Sequence, residues 1–322
     1  MIQFFNQVVD NRIKGSSAYL ESMQRVFAQD GGSGLIEVQY SSTDQLVFVY
    51  LDGQAISVYH LGTSQCRLIP EDEVRLVWPD GEADLRAVPV PSQGLRLAVQ
   101  ALEWCPPQQE RALEGDGAGR YLEDLKMQKQ DGLLRVKLPD LDGFAVLLDG
   151  DTPVSDAVFS TPRGIESMAL NLPQWTGKLR GQCQLVWYAA RPESASYQRL
   201  LLRNAVTQWV EKVILGYQHL VGRNLVNSLD YEVNTALRLR RWNLRLVGGG
   251  LVDHHFFLDA TMAVQVYQTV LGILNEQMVR VVGKSLTQRA VSQAFAKLKD
   301  RQRQTLIEHS LISFATEKPA FE

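Results

Sequence analysis

The chain has 322 residues, with 33 Lys and Arg against 36 Asp and Glu, a formal net charge of −3, and 45% of its residues apolar. That balance belongs to ordinary globular proteins and gives no whole-chain attraction to nucleic acid or anionic lipid. Cys66, Cys105 and Cys183 are far apart and form no C-x-x-C pair, which fits buried thiols in a reducing compartment better than a disulfide framework.

Residues 1 to 30 carry a loose helical stripe, Val8, Val9, Ile13, Leu20, Met23, Val26 and Phe27, interrupted near Gly15-Ser16-Ser17 and ended by Asp30-Gly31-Gly32-Ser33-Gly34. The start lacks the basic flank and long apolar run of a signal peptide. No apolar run reaches the roughly 18 residues of a membrane span, so a soluble cytoplasmic protein without a membrane partner is expected.

The strongest signal is a unit written twice. Tyr19-Leu20-Glu21, Gly34-Leu35-Ile36-Glu37-Val38 and Val47 to Asp52-Gly53 recur as Tyr121-Leu122-Glu123, Gly132-Leu133-Leu134-Arg135-Val136 and Phe144 to Asp149-Gly150. Each copy reads as a short helix, a strand opening at Gly-Leu, and a second strand turned back at Asp-Gly, where the turn needs positive φ. A third block, Pro91-Ser92-Gln93-Gly94-Leu95 leading to Trp104, parallels Pro162-Arg163-Gly164-Ile165 leading to Trp175. On that alignment Gly53 to Gly94 spans 41 residues and Gly150 to Gly164 spans 14, so copy one is expected to hold an insertion of about 27 residues that adds strands.

Pro106-Pro107 through Gly119 punctuates the boundary between the copies. From about Ser196 the apolar period becomes helical, with Val206, Val210, Val213, Ile214 and Tyr217 on one face and Val266, Val270, Leu274 and Met278 on another. Leu220-Val221-Gly222-Arg223-Asn224-Leu225 parallels Val281-Val282-Gly283-Lys284-Ser285-Leu286 at an offset of 61, which predicts two similar helical hairpins around a hinge at Gly248-Gly249-Gly250. The expected class is α+β: a first module over 1–110 with an insertion at about 56–91, a second over 120–191, an all-helical domain over 196–313 and a tail over 314–322.

No catalytic set assembles from the motifs, and no cofactor is expected. Gly283-Lys284-Ser285 resembles the end of a phosphate-binding loop, but Met278 stands where the loop needs a glycine, so a close-packing glycine between helices is the preferred reading. Asp253-His254-His255 with Asp259 supplies metal-capable groups and supports a metal-dependent hydrolase as one alternative. Against it stands a loop in which Asp253 or Asp259 caps a helix starting near Ala260. The stretch Arg238 to Arg245 sets Arg238, Arg240, Arg241 and Arg245 around Trp242. It reads as a solvated helix end or a docking surface for an acidic protein, and a nucleic-acid-binding regulator is the other alternative.

The order helix, G-L strand, strand ending in D-G, short helix, then Trp before the closing strand at Gln182 to Tyr188 resembles the PATAN family of bacterial signalling modules, most closely over 120 to 190. The resemblance implies a non-catalytic adaptor that works through protein contacts, with a small GTPase, a pilus motor or a response regulator as partner. The helical domain, which the resemblance does not cover, is expected to dock a partner or a second copy of the chain.

Overall fold

The structure is a computed structural model that describes residues 4, 5, 12–62, 65–70, 73, 81–114, 116–138, 141–151, 157–161, 164–167 and 182–312. Two compact units divide the chain, Met1–Ser194 and Ala195–Glu322. The class is α+β, as expected from the sequence.

In the first unit the order is β1 (Ile13–Gly15), α1 (Ser17–Asp30), β2 (Gly34–Gln39), β3 (Gln45–Leu51), β4 (Gln54–Leu61), β5 (Cys66–Ile69), β6 (Ala83–Pro89) and α2 (Ser92–Glu103). It continues with β7 (Gln109–Leu113), α3 (Gly117–Met127), β8 (Gly132–Leu138), β9 (Leu141–Leu147), β10 (Ala157–Thr161), β11 (Gly164–Ser167) and β12 (Cys183–Ala189). One sheet runs β1-β6-β2-β3-β4-β5 and the other β7-β12-β8-β9-β10-β11, all pairs antiparallel. The two orders are the same, strand for strand.

The repeat extends to backbone detail. Asp52 and Gly53 take φ of 49° and 81°, and Asp149 and Gly150 take 52° and 75°. The amide of Gly53 donates to the Gly32 carbonyl and that of Gly150 to the Gln130 carbonyl. A Cβ at Gly150 would stand 2.4 Å from Lys126 Cα, so the second turn docks against the end of α3 with no room for a side chain.

Three expectations are corrected. The segment 56–91 carries the end of β4 with β5 and β6, and β10, β11 and β12 occupy the matching places, so among the described residues no extra strand distinguishes copy one; positions 74–80 lie outside them. The excess came from equating Ser92-Gln93-Gly94, which opens α2, with Gly164-Ile165, which lies in a strand. Strand β6 leads into α2, whereas β12 leads into the first helix of the second unit; Trp175 lies outside the described residues. The boundary near 106–119 also holds β7, which pairs with β12 and so belongs to the second sheet.

Alternation along the strands gives each sheet two different faces. One face packs under a helix: Leu20 and Phe27 of α1 over Ile36, Val38, Leu46 and Phe48, and Tyr121, Leu122 and Leu125 of α3 over Leu134, Val136, Ala145 and Leu147. The other faces turn inward, and α2 contacts strands of both sheets with residues 93 to 102 all buried. Gly94 permits this approach, since a Cβ there would meet Val90 at 2.6 Å and Val158 of β10 at 3.3 Å.

Between the inner faces lie four buried charges. Arg86 Nη1 donates to Glu37 Oε2 at 3.3 Å and its Nη2 to the carbonyls of Phe4 and Phe5 at 3.0 Å, while the Phe4 amide donates to Glu37 Oε1. Arg135 forks onto Asp142 at 2.9 and 2.7 Å. The rings of Phe4 and Phe5 pack on Phe144, 5.9 and 5.7 Å between centroids. Burial pushes the Glu37 carboxyl above its ordinary range, outweighing the attraction of Arg86. For Arg135, burial works against the charge and the Asp142 carboxylate overcomes it, so the pKa is raised.

The second unit contains α4 (Ala195–Val221), α5 (Arg223–Leu239), β13 (Leu244–Val247), β14 (Gly250–Asp253), α6 (Ala260–Val282), α7 (Lys284–Ala296) and α8 (Asp300–Glu308). The expected all-helical domain thus includes a β-hairpin, and the glycine run read as a hinge is its turn, with Gly248 and Gly249 at φ 59° and 89°. Gly222 and Gly283 adopt φ/ψ of 80°/171° and 82°/164°, so the two helical hairpins turn the same way at an offset of 61. A Cβ at either would meet no atom within 4 Å, so these glycines supply the turn's positive φ and not the close packing expected of Gly283. Trp209, Tyr217, Val233, Tyr267, Met278 and Leu306 centre the core of this unit.

Glu37 with a raised pKa contributes its full stability below its unfolded value near pH 4.5, and that contribution falls as pH rises through the folded value. Arg86→Met is therefore expected to lower the unfolding free energy by about 3–5 kcal/mol at pH 8, where it strands the carboxylate, and by less near pH 4. Adding Glu37→Gln should recover part of the loss at pH 8, measured by denaturant unfolding.

Candidate functional site

The basic stretch expected to bind a partner spans the end of α5 and the start of the hairpin. Helix α5 forms on the buried positions Val226, Leu229, Val233 and Leu237 and ends at Arg240, with Arg241 at φ 57°. Arg238, Arg240, Arg241 and Arg245 are all exposed. Arg240 donates to the Ala236 carbonyl at 2.9 Å and lies over the Trp242 ring at 5.8 Å; Arg238 donates to the Asn234 carbonyl at 3.4 Å. The helix-end role accounts for these two arginines, because cations complement unpaired carbonyls there. Among the described residues none of the four has a carboxylate within ion-pair distance, and Leu239 and Val247 beside them are 81% and 54% exposed.

The histidine cluster is organised differently. Asp253 Oδ2 accepts from Arg203 Nε at 2.9 Å and from the Tyr267 hydroxyl, while Oδ1 accepts from the His255 amide at 2.9 Å. Arg203 also donates to the His255 carbonyl and Arg199 to those of Phe257 and Leu258. This network pins the segment after β14 to α4. Asp259 caps α6, accepting from the Met262 amide at 2.7 Å. Among the described residues no group of three His, Cys, Asp or Glu side chains is placed to hold a metal.

A third feature was not legible in the sequence. Within the first unit a cleft of about 240 Å³ opens between the inner faces, lined by the 42–45 turn, the end of β4, Cys105 to Pro107, and residues of β7, β8 and β12. Arg135, Val186 and Glu110 form one cross-strand row; Lys137 lies two residues along β8 and Tyr188 two along β12, so all share a face. Burial lowers the Lys137 pKa, helped by the Arg135 charge, and raises that of Tyr188 to about 12. Gln45 opens β3, is 2% exposed, and its side-chain oxygen has no hydrogen-bond partner among the described residues. Alternation of the strands could have shown that Arg135 and Lys137 are neighbours, but nothing in the sequence joins them to Gln45.

Cys105 at this cleft hydrogen-bonds with the Cys66 thiol, and Arg191 donates to its carbonyl. The Cys66 thiol and the Arg191 charge hold Cys105 below the ordinary thiol range, whereas its bond to Cys105 and burial push Cys66 up, and burial raises Cys183.

No family model, curated protein or solved structure matches the chain. Among the described residues no helix is long and apolar enough to cross a membrane.

The thiolate is the reactive species, so iodoacetamide near neutral pH is expected to modify Cys105 before Cys66 and Cys183, followed by peptide mass spectrometry over time. Equal rates at the three positions would contradict this ordering.

Proposed function

We propose that the chain is a non-catalytic adaptor of a bacterial signalling, motility or polarity system, with a small GTPase, a pilus motor or a response regulator as partner, as the PATAN resemblance implies. The observation that carries this reading is the patch of exposed Arg238, Arg240, Arg241, Arg245, Leu239 and Val247 beside the partly buried Trp242, the arginines without carboxylate partners among the described residues. Arg and Trp dominate binding energy at protein interfaces, and four local cations on a chain of net charge −3 favour an acidic partner surface. The duplicated sheets add a scaffold whose inner faces hold α2 and the four buried charges.

The second unit also supports self-association. Leu220, Leu225, Val281 and Leu286 stand exposed at matching places beside Gly222 and Gly283, a repeated apolar surface that a second copy would cover.

Capture on the immobilised full chain is expected to retain an acidic protein that is released when Arg238, Arg240, Arg241 and Arg245 become Glu, with circular dichroism unchanged. Retention of nucleic acid, with a steep salt dependence lost in the same variant, would favour the nucleic-acid regulator instead. Turnover coupled to bound metal would favour the hydrolase around His254 and His255. Leu225→Lys with Leu286→Lys should shift the chain from dimer to monomer in sedimentation velocity.

A further inference from the structure

The cleft in the first unit is built from charges that balance. Arg135 and Lys137 project from one face of β8, Asp142 neutralises Arg135, and Glu110 lies on the same sheet face, its Oε1 accepting from Gln184. A dianion entering here would meet one cation not already matched by a carboxylate, with Glu110 opposing it. A molecule carrying both charges finds a partner for each.

Gln45 adds the second indication. A buried amide oxygen without a donor is unfavourable, and this one is in the cleft lining, where a ligand's N–H would satisfy it. The size suits a small ligand, since about 240 Å³ lies just below the roughly 300–1,000 Å³ of ordinary ligand pockets.

We propose that this cleft binds a small zwitterion of the free α-amino acid class, its carboxylate at Lys137 and Arg135 and its ammonium at the Gln45 side-chain oxygen and Glu110. Lys137 and Tyr188, both on this face and lining the cleft, offer an ammonium and a hydroxyl donor to that carboxylate. The site is separate from the arginine patch, so the chain would sense a metabolite in one unit whether or not the other unit docks a partner.

The test is calorimetric titration of the full chain with each of the common α-amino acids in turn, with succinate and inorganic phosphate as controls. Saturable binding of at least one amino acid is expected, weakened about tenfold or more by Gln45→Leu and by Lys137→Met, each variant confirmed as folded by circular dichroism. Gln45→Leu removes an unpaired polar group, so this variant is expected to fold as the parent does. Three results would each overturn the proposal: no heat with any amino acid, binding of phosphate or succinate in their place, or amino-acid binding indifferent to both substitutions.

Discussion

The first unit depends on four charged side chains held between two sheets. Glu37 with Arg86, and Arg135 with Asp142, occupy the inner faces, and each of the four is less than 5% exposed. Buried ion pairs add little net stability against well-packed hydrocarbon, but removing one member is costly, so they constrain which arrangements are tolerated. Each pair closes within its own sheet, Glu37 with Arg86 across β2 and β6 and Arg135 with Asp142 across β8 and β9; between the sheets the Glu37 and Arg135 charges attract, and Phe4 and Phe5 accept from Arg86 and cover Phe144. Helix α2 packs beside them, contacting both sheets.

Much of this plan was readable from the residues. The Asp-Gly turns and Gly-Leu strand starts announced the duplication because steric demands at positive φ and at close backbone approach leave few residue choices. The demand for positive φ recurs at Gly222 and Gly283, where the parallel between helical hairpins is also legible. What failed was the alignment of a third block by residue likeness, since Pro, Gly and a small apolar residue open a helix at Ser92 and a strand at Gly164 alike. The short β1 and β7 are not legible in the sequence, because three to five residues of edge strand carry too little pattern. The polar positions of α2, Gln93, Arg96 and Gln100, resemble a solvated stripe, yet all three are buried.

The sites divided along the same line. A run of arginines within eight residues is visible without any fold, and the structure leaves it on the surface. The cleft takes its side chains from positions 45, 110, 135, 137 and 188, which only strand pairing brings to one place. Asp253, His254 and His255 show the converse: adjacency suggested a metal, whereas Asp253 is engaged by Arg203 and Tyr267 and the work of capping α6 falls to Asp259.

Glu37 and Arg135 hold the same position in the two copies, third after the glycine that opens β2 and β8, and the charge of each acts on the other. Two identical modules joined about a twofold axis would set that position against itself, placing Glu37 near a second Glu37 or Arg135 near a second Arg135. Both like-charged pairings are repelled, and only the mixed pairing is attracted. Within one polypeptide the copies are unlike at this position, each complementary to the other, and neither half would serve as its own mate.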